Sequence, residues 1–242
     1  MKKLFQLFLC VGILCTMFGC SKPKVDDEAI DRLLPAIKSM KDYKSFDYTV
    51  GFEALSMNAS GTLSGSCIFD KNQYSLAIDF DIPGQTIQKL GEVYILDDMT
   101  YANILGQKGK QKLEIKDFSF GFDLDTIGFS KEEMKKSLKA ASIDGNKLHF
   151  EVKDELIKDS MDQGNFNFED ANIQEITGFA MDVELENDSM SGLSLTFEGL
   201  SDGKETSISL YVTLKNINKK ESIDFPKDMK DWPLKEGSLI GD

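Results

Sequence analysis

His149 is the only histidine in 242 residues. A Ser-His-Asp triad would have one possible base, and a zinc centre would have to be built almost without imidazole. No G-x-S-x-G elbow, Walker loop or dinucleotide fingerprint occurs anywhere in the chain. His149 itself falls at an outward position of the run 147–152, where Leu148, Phe150 and Val152 point inward. The chain is expected not to be an enzyme, and no catalytic residue, metal ligand or cofactor is assigned.

Basic charge is also scarce. Lys and Arg number 28 against 41 Asp and Glu, a net charge of −13, and Arg32 is the single arginine. Such a surface repels phosphates, which argues against nucleic-acid binding and against electrostatic docking on anionic headgroups. Asp79 with Asp81, and Asp123 with Asp125, place carboxylate pairs on strand faces. Neither pair continues into a calcium loop, so solvated charge is the expected reading. Acid pairs that meet only in space would be needed for a glycosidase, and no run points to one.

No apolar run is long enough to span a bilayer. The longest, Leu4–Gly19, has 16 residues, short of the ~20 a membrane helix needs. With Lys2 and Lys3 before it and a small residue at its end, it reads as a secretory leader covering residues 1–19. Met17-Phe18-Gly19-Cys20 then resembles a bacterial lipobox, although Phe18 stands where a small residue is usual. The resemblance implies a diacylglyceryl thioether on Cys20 and cleavage before it. Two acyl chains, at ~0.8 kcal/mol per CH₂, hold a protein stably on a membrane. The protein is thus expected on the extracytoplasmic face of a bacterial cell membrane. Residues 20–28 form the lipidated N-terminus and tether, and Ser21–Glu28, fully extended, reaches about 28 Å at ~3.5 Å per residue.

Cys10 and Cys15 lie in the leader, so Cys67 is alone in the folded part. No disulfide can form there. Its place in an alternating run makes it a small buried hydrophobe.

What is abundant is alternation. Phe46, Tyr48, Val50 and Phe52 take turns with Asp47, Thr49, Gly51 and Glu53; Leu63 and Cys67, then Tyr74, Leu76, Ile78 and Phe80, continue the pattern around a turn at Asp70–Gln73. Shorter strands are expected at 92–96, 100–105 and 110–115. Phe179, Met181, Val183 and Leu185, then Leu193, Leu195 and Phe197, then Ile208, Leu210, Val212 and Leu214 repeat it, with turns at Asn187-Asp188 and Ser201–Gly203. This period of two predicts antiparallel strands with one apolar and one solvated face. Helical spacing covers Ile30–Met40, with Pro35 expected to break or kink it. Ser130–Glu133 is a capping box opening a second helix, and 154–163 forms a weaker third. The expected fold is α+β: one domain over residues 29–242, a large curved antiparallel sheet (half-barrel, about ten strands) with a few helices on its apolar face.

The segment Asp117–Ser130, DFSFGFDLDTIGFS, and the later NFNFED are rich in aromatics. Phe120 and Phe122 are candidates for a flap over an apolar mouth, and plain core strands are the alternative.

Together the lipobox, N-terminal helix, long strands and late helical insertion resemble the LolA/LolB and LppX/LprG-type lipoproteins. Glu92–Leu96 through Tyr101-Ala102-Asn103 is similar to that group's strand-turn-strand segment, and Asn216-Ile217-Asn218 to Asp224–Asp228 resembles its closing step. The tryptophan often found after the Tyr segment is missing, and Trp232 lies far downstream. The resemblance implies a carrier that binds a lipid or other hydrophobic ligand between sheet and helices. Phe52, Leu76, Ile78, Met181, Leu195 and Leu210 are the expected ligand-binding residues, in a void within the usual ~300–1,000 Å³ of ligand pockets. The competing reading is a surface interaction module with a filled core, an exposed apolar patch and a protein partner.

Overall fold

The computed structural model describes residues 24–55, 58–82, 85–112, 130–162, 173 and 175–235. Eleven strands form one open antiparallel sheet: β1 (Ser45–Ala54), β2 (Ala59–Ile68), β3 (Gln73–Ile82), β4 (Gln85–Leu96), β5 (Met99–Ile104), β6 (Gln107–Lys112), β7 (Leu138–Asp144), β8 (Lys147–Val152), β9 (Glu175–Glu186), β10 (Ser189–Ser201) and β11 (Lys204–Lys215). Their order across the sheet is β6-β5-β4-β3-β2-β1-β11-β10-β9-β8-β7. The first and last strands of the chain therefore pair in the middle, and β6 and β7 are the free edges. Among the described residues three α-helices accompany the sheet: α1 (Asp27–Ser39), α2 (Lys131–Ser137) and α3 (Asp154–Asp162). This is the expected α+β half-barrel, with one strand more than the alternation indicated.

The additional strand is β7. Its register against β8 shifts between Leu138 and Ala140, so a bulge interrupts the period of two and hides the strand in the sequence. β6 begins at Gln107, three residues before the expected start at 110, and residues 113–115 of that expectation lie outside the described residues. Pro35 does not break α1, which runs on to Ser39. The proline is exposed, as is Asp31 one turn earlier, so water can reach the carbonyl that loses its donor. The capping box is present in full: Ser130 N–H donates to Glu133 Oε2 at 2.9 Å, and Glu133 N–H donates to Ser130 Oγ at 3.2 Å.

Residues placed in the tether belong to the fold. Asp26 caps α1 by accepting the Glu28 N–H at 2.9 Å. Val25 pairs in parallel with Ala141 on the outer edge of β7. At the other edge, Leu234 pairs in parallel with Lys110 of β6. Both open edges, which would otherwise invite pairing with another chain, are thus covered over a short length by the segments around Val25 and Leu234.

α1 lies across the apolar face of β7–β10. Ile30 and Leu33 pack with Leu148, Phe150 and Val183, all of them within 1% of complete burial. A second cluster gathers Tyr43, Phe46, Cys67, Tyr74 and Leu214, and Tyr43 Oη donates to the Met190 carbonyl at 2.7 Å. Cys67 is free and buried, with its thiol pushed up to about 12 by that burial and by the nearby Asp47 charge. A third cluster lies on the opposite, convex face, where Met229 and Trp232 of the C-terminal segment cover Tyr94 and Tyr101.

Candidate functional site: an apolar trough on the concave face

Residues directly opposite each other in an antiparallel ladder share a face, so the register assembles the trough row by row. One row runs Phe52, Leu210, Leu195, Met181 and Phe150 across β1, β11, β10, β9 and β8. The next contains Ile78, Leu63, Val50, Val212 and Leu193. A third contains Leu76, Gly65, Tyr48 and Leu214. All six residues named from the sequence therefore stand on one face, in three adjacent rows.

The floor of the trough depends on two glycines of β2. Phe52 lies over Gly61, where a Cβ would come within 2.6 Å of its ring. The ring thereby reaches Phe80 on β3, with centroids 5.8 Å apart and planes at 62°. Tyr48 likewise lies over Gly65 and donates its hydroxyl to the Ser75 carbonyl at 2.9 Å. Each glycine opens a groove that an aromatic from β1 crosses.

α1 covers only part of this face. Beyond it, Leu210 is 45% exposed, Leu63 38% and Phe80 36%, although each stands in an otherwise apolar row. Leu63 and Phe80 also face the trough; periodicity placed them inward without marking them as lining, and only their exposure distinguishes them from core. Phe52, Leu76, Ile78, Met181 and Leu195 are half-buried. Phe120 and Phe122, named as the flap, lie outside the described residues, as do Phe166, Phe168 and Cys20.

Across β8–β11 the convex face is polar and carries a shallow depression of about 340 Å³, lined by Lys147, Asp182, Glu184, Ser194, Tyr211 and Thr213 among others. Lys147 and Glu184 form an ion pair across it at 3.0 Å. His149 stands beside it, outward as expected. Its Nδ1–H donates to Asp182 Oδ1 at 2.7 Å and its Nε2 lies 3.5 Å from Glu151 Oε1. Burial lowers the imidazole's affinity for a proton, but the two carboxylates outweigh it and the pKa is raised. Among the described residues no three His, Cys, Asp or Glu side chains gather as a metal site. No described helix is long and apolar enough to cross a membrane.

No protein-family model matches the sequence, and comparison with curated proteins gives no match. The structure is similar to that of LprF from Mycobacterium bovis, with a TM-score of 0.42 at 12% identity over 85% of this chain and 99% of that one. It is also similar to an uncharacterized conserved protein from Thermus thermophilus, with a TM-score of 0.31 at 10% identity over 86% and 98% of the two chains. Both likenesses are distant.

Proposed function

We propose that this protein is a non-enzymatic lipoprotein, anchored through Cys20 to the extracytoplasmic face of a bacterial membrane, that holds a lipid or other hydrophobic ligand against the concave face of its sheet. The observation that carries the reading is the exposure of Leu210, Leu63 and Phe80 in the middle of apolar rows. Full burial of such a side chain is worth ~1.5–3 kcal/mol. A chain that leaves three of them partly open in one concave surface keeps that free energy available to whatever covers them. Among the described residues, the convex face around His149 is polar, with His149 tied to two carboxylates.

The test is native mass spectrometry of the secreted chain from Ser21 onward, with organic extraction of anything bound. A stoichiometric apolar adduct supports the carrier and names the ligand class. An unliganded mass after exposure to total membrane lipid favours a protein partner on the same face.

A further inference from the structure

The two rims of the sheet differ in chemistry. The strand pairing places the turns at 69–72, 97–98, 145–146 and 187–188 at one end, and those at 105–106 and 202–203, with the β1–β2 connection, at the other. The first rim carries Asp70, Asn72, Asp97, Asp98, Asn146, Asn187 and Asp188, with Lys71 the one basic residue in these turns. The second carries the two most exposed leucines of the described β-turn regions, Leu55 at 69% and Leu105 at 71%. Leu156, at the start of α3, is exposed near the same end, where β8 finishes. The rim is not uniformly apolar, for Asp202 and Gly203 form one of its turns.

Leu105 is also conformationally costly. It sits at φ 50° in a two-residue hairpin turn whose counterparts elsewhere begin with Asp97, Gly145, Asn187 and Asp202. That left-handed position favours Asn, Asp or Gly and disfavours a bulky side chain. The leucine accepts backbone strain and exposure together, so turn formation does not explain it.

The N-terminal strap fixes where the anchor leaves. Asp26 N–H donates to Ala141 O at 3.0 Å, and Ala141 N–H donates to Lys24 O at 3.3 Å. Because this pairing is parallel, the chain traced backward from Lys24 heads toward the Leu138 end of β7, which is paired to Val152 at the leucine rim. Only residues 21–23 separate Lys24 from Cys20. Fully extended, that leaves at most about 14 Å between their Cα atoms at ~3.5 Å per residue.

The geometry points to a bilayer-facing rim: the protein stands on the membrane that holds its anchor, with Leu55 and Leu105 set into the acyl–headgroup boundary and the aspartate rim turned away. The inference rests on lipidation of Cys20 and deepens the carrier reading. The partner of this rim is the bilayer surface, and the ligand source is the membrane beneath the trough. An acidic rim near the surface would be repelled by anionic lipid, whereas leucines at the interface gain by burial.

The test uses the full lipidated chain in vesicles of phosphatidylethanolamine and phosphatidylglycerol. Leu55→Cys, Leu105→Cys, Asp98→Cys and Asn187→Cys variants each carry a bimane label, and the buried Cys67 stays unmodified. Quenching by doxyl groups on the acyl chains should be several-fold stronger at 55 and 105 than at 98 and 187. Equal quenching at both rims, or stronger quenching at 98 and 187, overturns the inference. So does a chain that fails to associate with vesicles. Hydrogen exchange of the unmodified protein on vesicles gives a second readout that needs no substitution, with new protection expected at 58–60 and 105–107 but not at 97–98. Ligand extraction from the same samples keeps the two readings apart. Rim quenching without bound lipid sinks the carrier alone, and bound lipid with equal quenching sinks the orientation alone.

Discussion

Lys110 donates its backbone N–H to the Pro233 carbonyl at 2.8 Å and accepts from the Lys235 N–H at 2.9 Å, so the C-terminal segment runs as a short parallel strand along the free edge of β6. The segment is held there by Trp232, which lies against Tyr94 and Tyr101 with ring centroids 6.5 and 6.3 Å away. Lys108 Nζ sits 5.2 Å above the indole centroid and pairs with Asp228 at 2.6 Å. Trp232→Ala should cost ~3–5 kcal/mol, the range for emptying a large buried aromatic. The same variant should release the β6 edge and allow self-association. Urea unfolding followed by far-UV circular dichroism and sedimentation at several concentrations check both effects. A variant of unchanged stability that stays monomeric would show the segment to be a passive tail.

Burial separates core from trough in mutational cost. Phe150 and Leu210 occupy the same row, yet Phe150 is completely buried under α1 while nearly half of Leu210 is exposed. Phe150→Ala should lose ~3–5 kcal/mol, and Leu210→Ala should stay within about 1 kcal/mol, because little of its environment is close-packed. Equal losses in chemical denaturation would mean that the trough is filled.

Bulk introduced at the trough floor should act on the ligand and spare the fold. Ile78→Trp or Leu195→Trp is expected to abolish lipid retention in extraction assays with the circular dichroism spectrum unchanged. Retention at the wild-type level would mean that the ligand lies on another surface.

Gly65 has no room for a side chain. An added Cβ would overlap the Ser75 backbone carbonyl and come within 2.9 Å of the Tyr48 hydroxyl. Gly65→Ala should destabilise by ~1–3 kcal/mol, as overpacking does, and Tyr48→Phe should relieve none of it because the backbone contact remains. Full recovery in the double variant would place the strain in the Tyr48 hydroxyl instead.

His149 links stability to pH with a definite sign. Desolvation opposes its protonation, but Asp182 and Glu151 raise its pKa above the ordinary 6.5. The charged imidazole therefore adds stability that is fully present below pH ~6.5 and lost as pH rises through the folded-state value. As the chain's sole histidine, it gives an unambiguous ring signal for titration by NMR. His149→Gln should flatten the stability difference between mildly acidic and mildly alkaline conditions. A titration midpoint at or below 6.5 would contradict the raised value.

Much of the sheet is legible because a period of two is a local property. The stretches 179–185, 193–197 and 208–214 around Met181, Leu195 and Leu210 alternate cleanly, the β9–β10 register shifting only outside them, at Met190/Gly192 and Glu198/Gly199, and Asn187-Asp188 marks its hairpin through residues that tolerate positive φ, here 52° and 59°. β7 is not legible. Its register shift and two alanines erase the alternation, although Ala141 ends up buried at the edge of the main core. The exposure of Leu63 and Phe80 was equally hidden, since a buried and a half-open inward residue obey the same pattern.

Local periodicity and capping chemistry thus decided the element types, the apolar face and the six residues expected on it. Tertiary structure alone decided how much of that face α1 covers and how the N-terminus is strapped to β7. Both depend on contacts between segments more than a hundred residues apart, such as Val25 with Ala141 and Arg32 with the Gly145 carbonyl at 3.0 Å. The direction of that parallel pairing sets the rim toward which the chain points when traced back from Lys24. No spacing within the sequence carries that information, because pairing partners and strand direction are properties of the folded sheet.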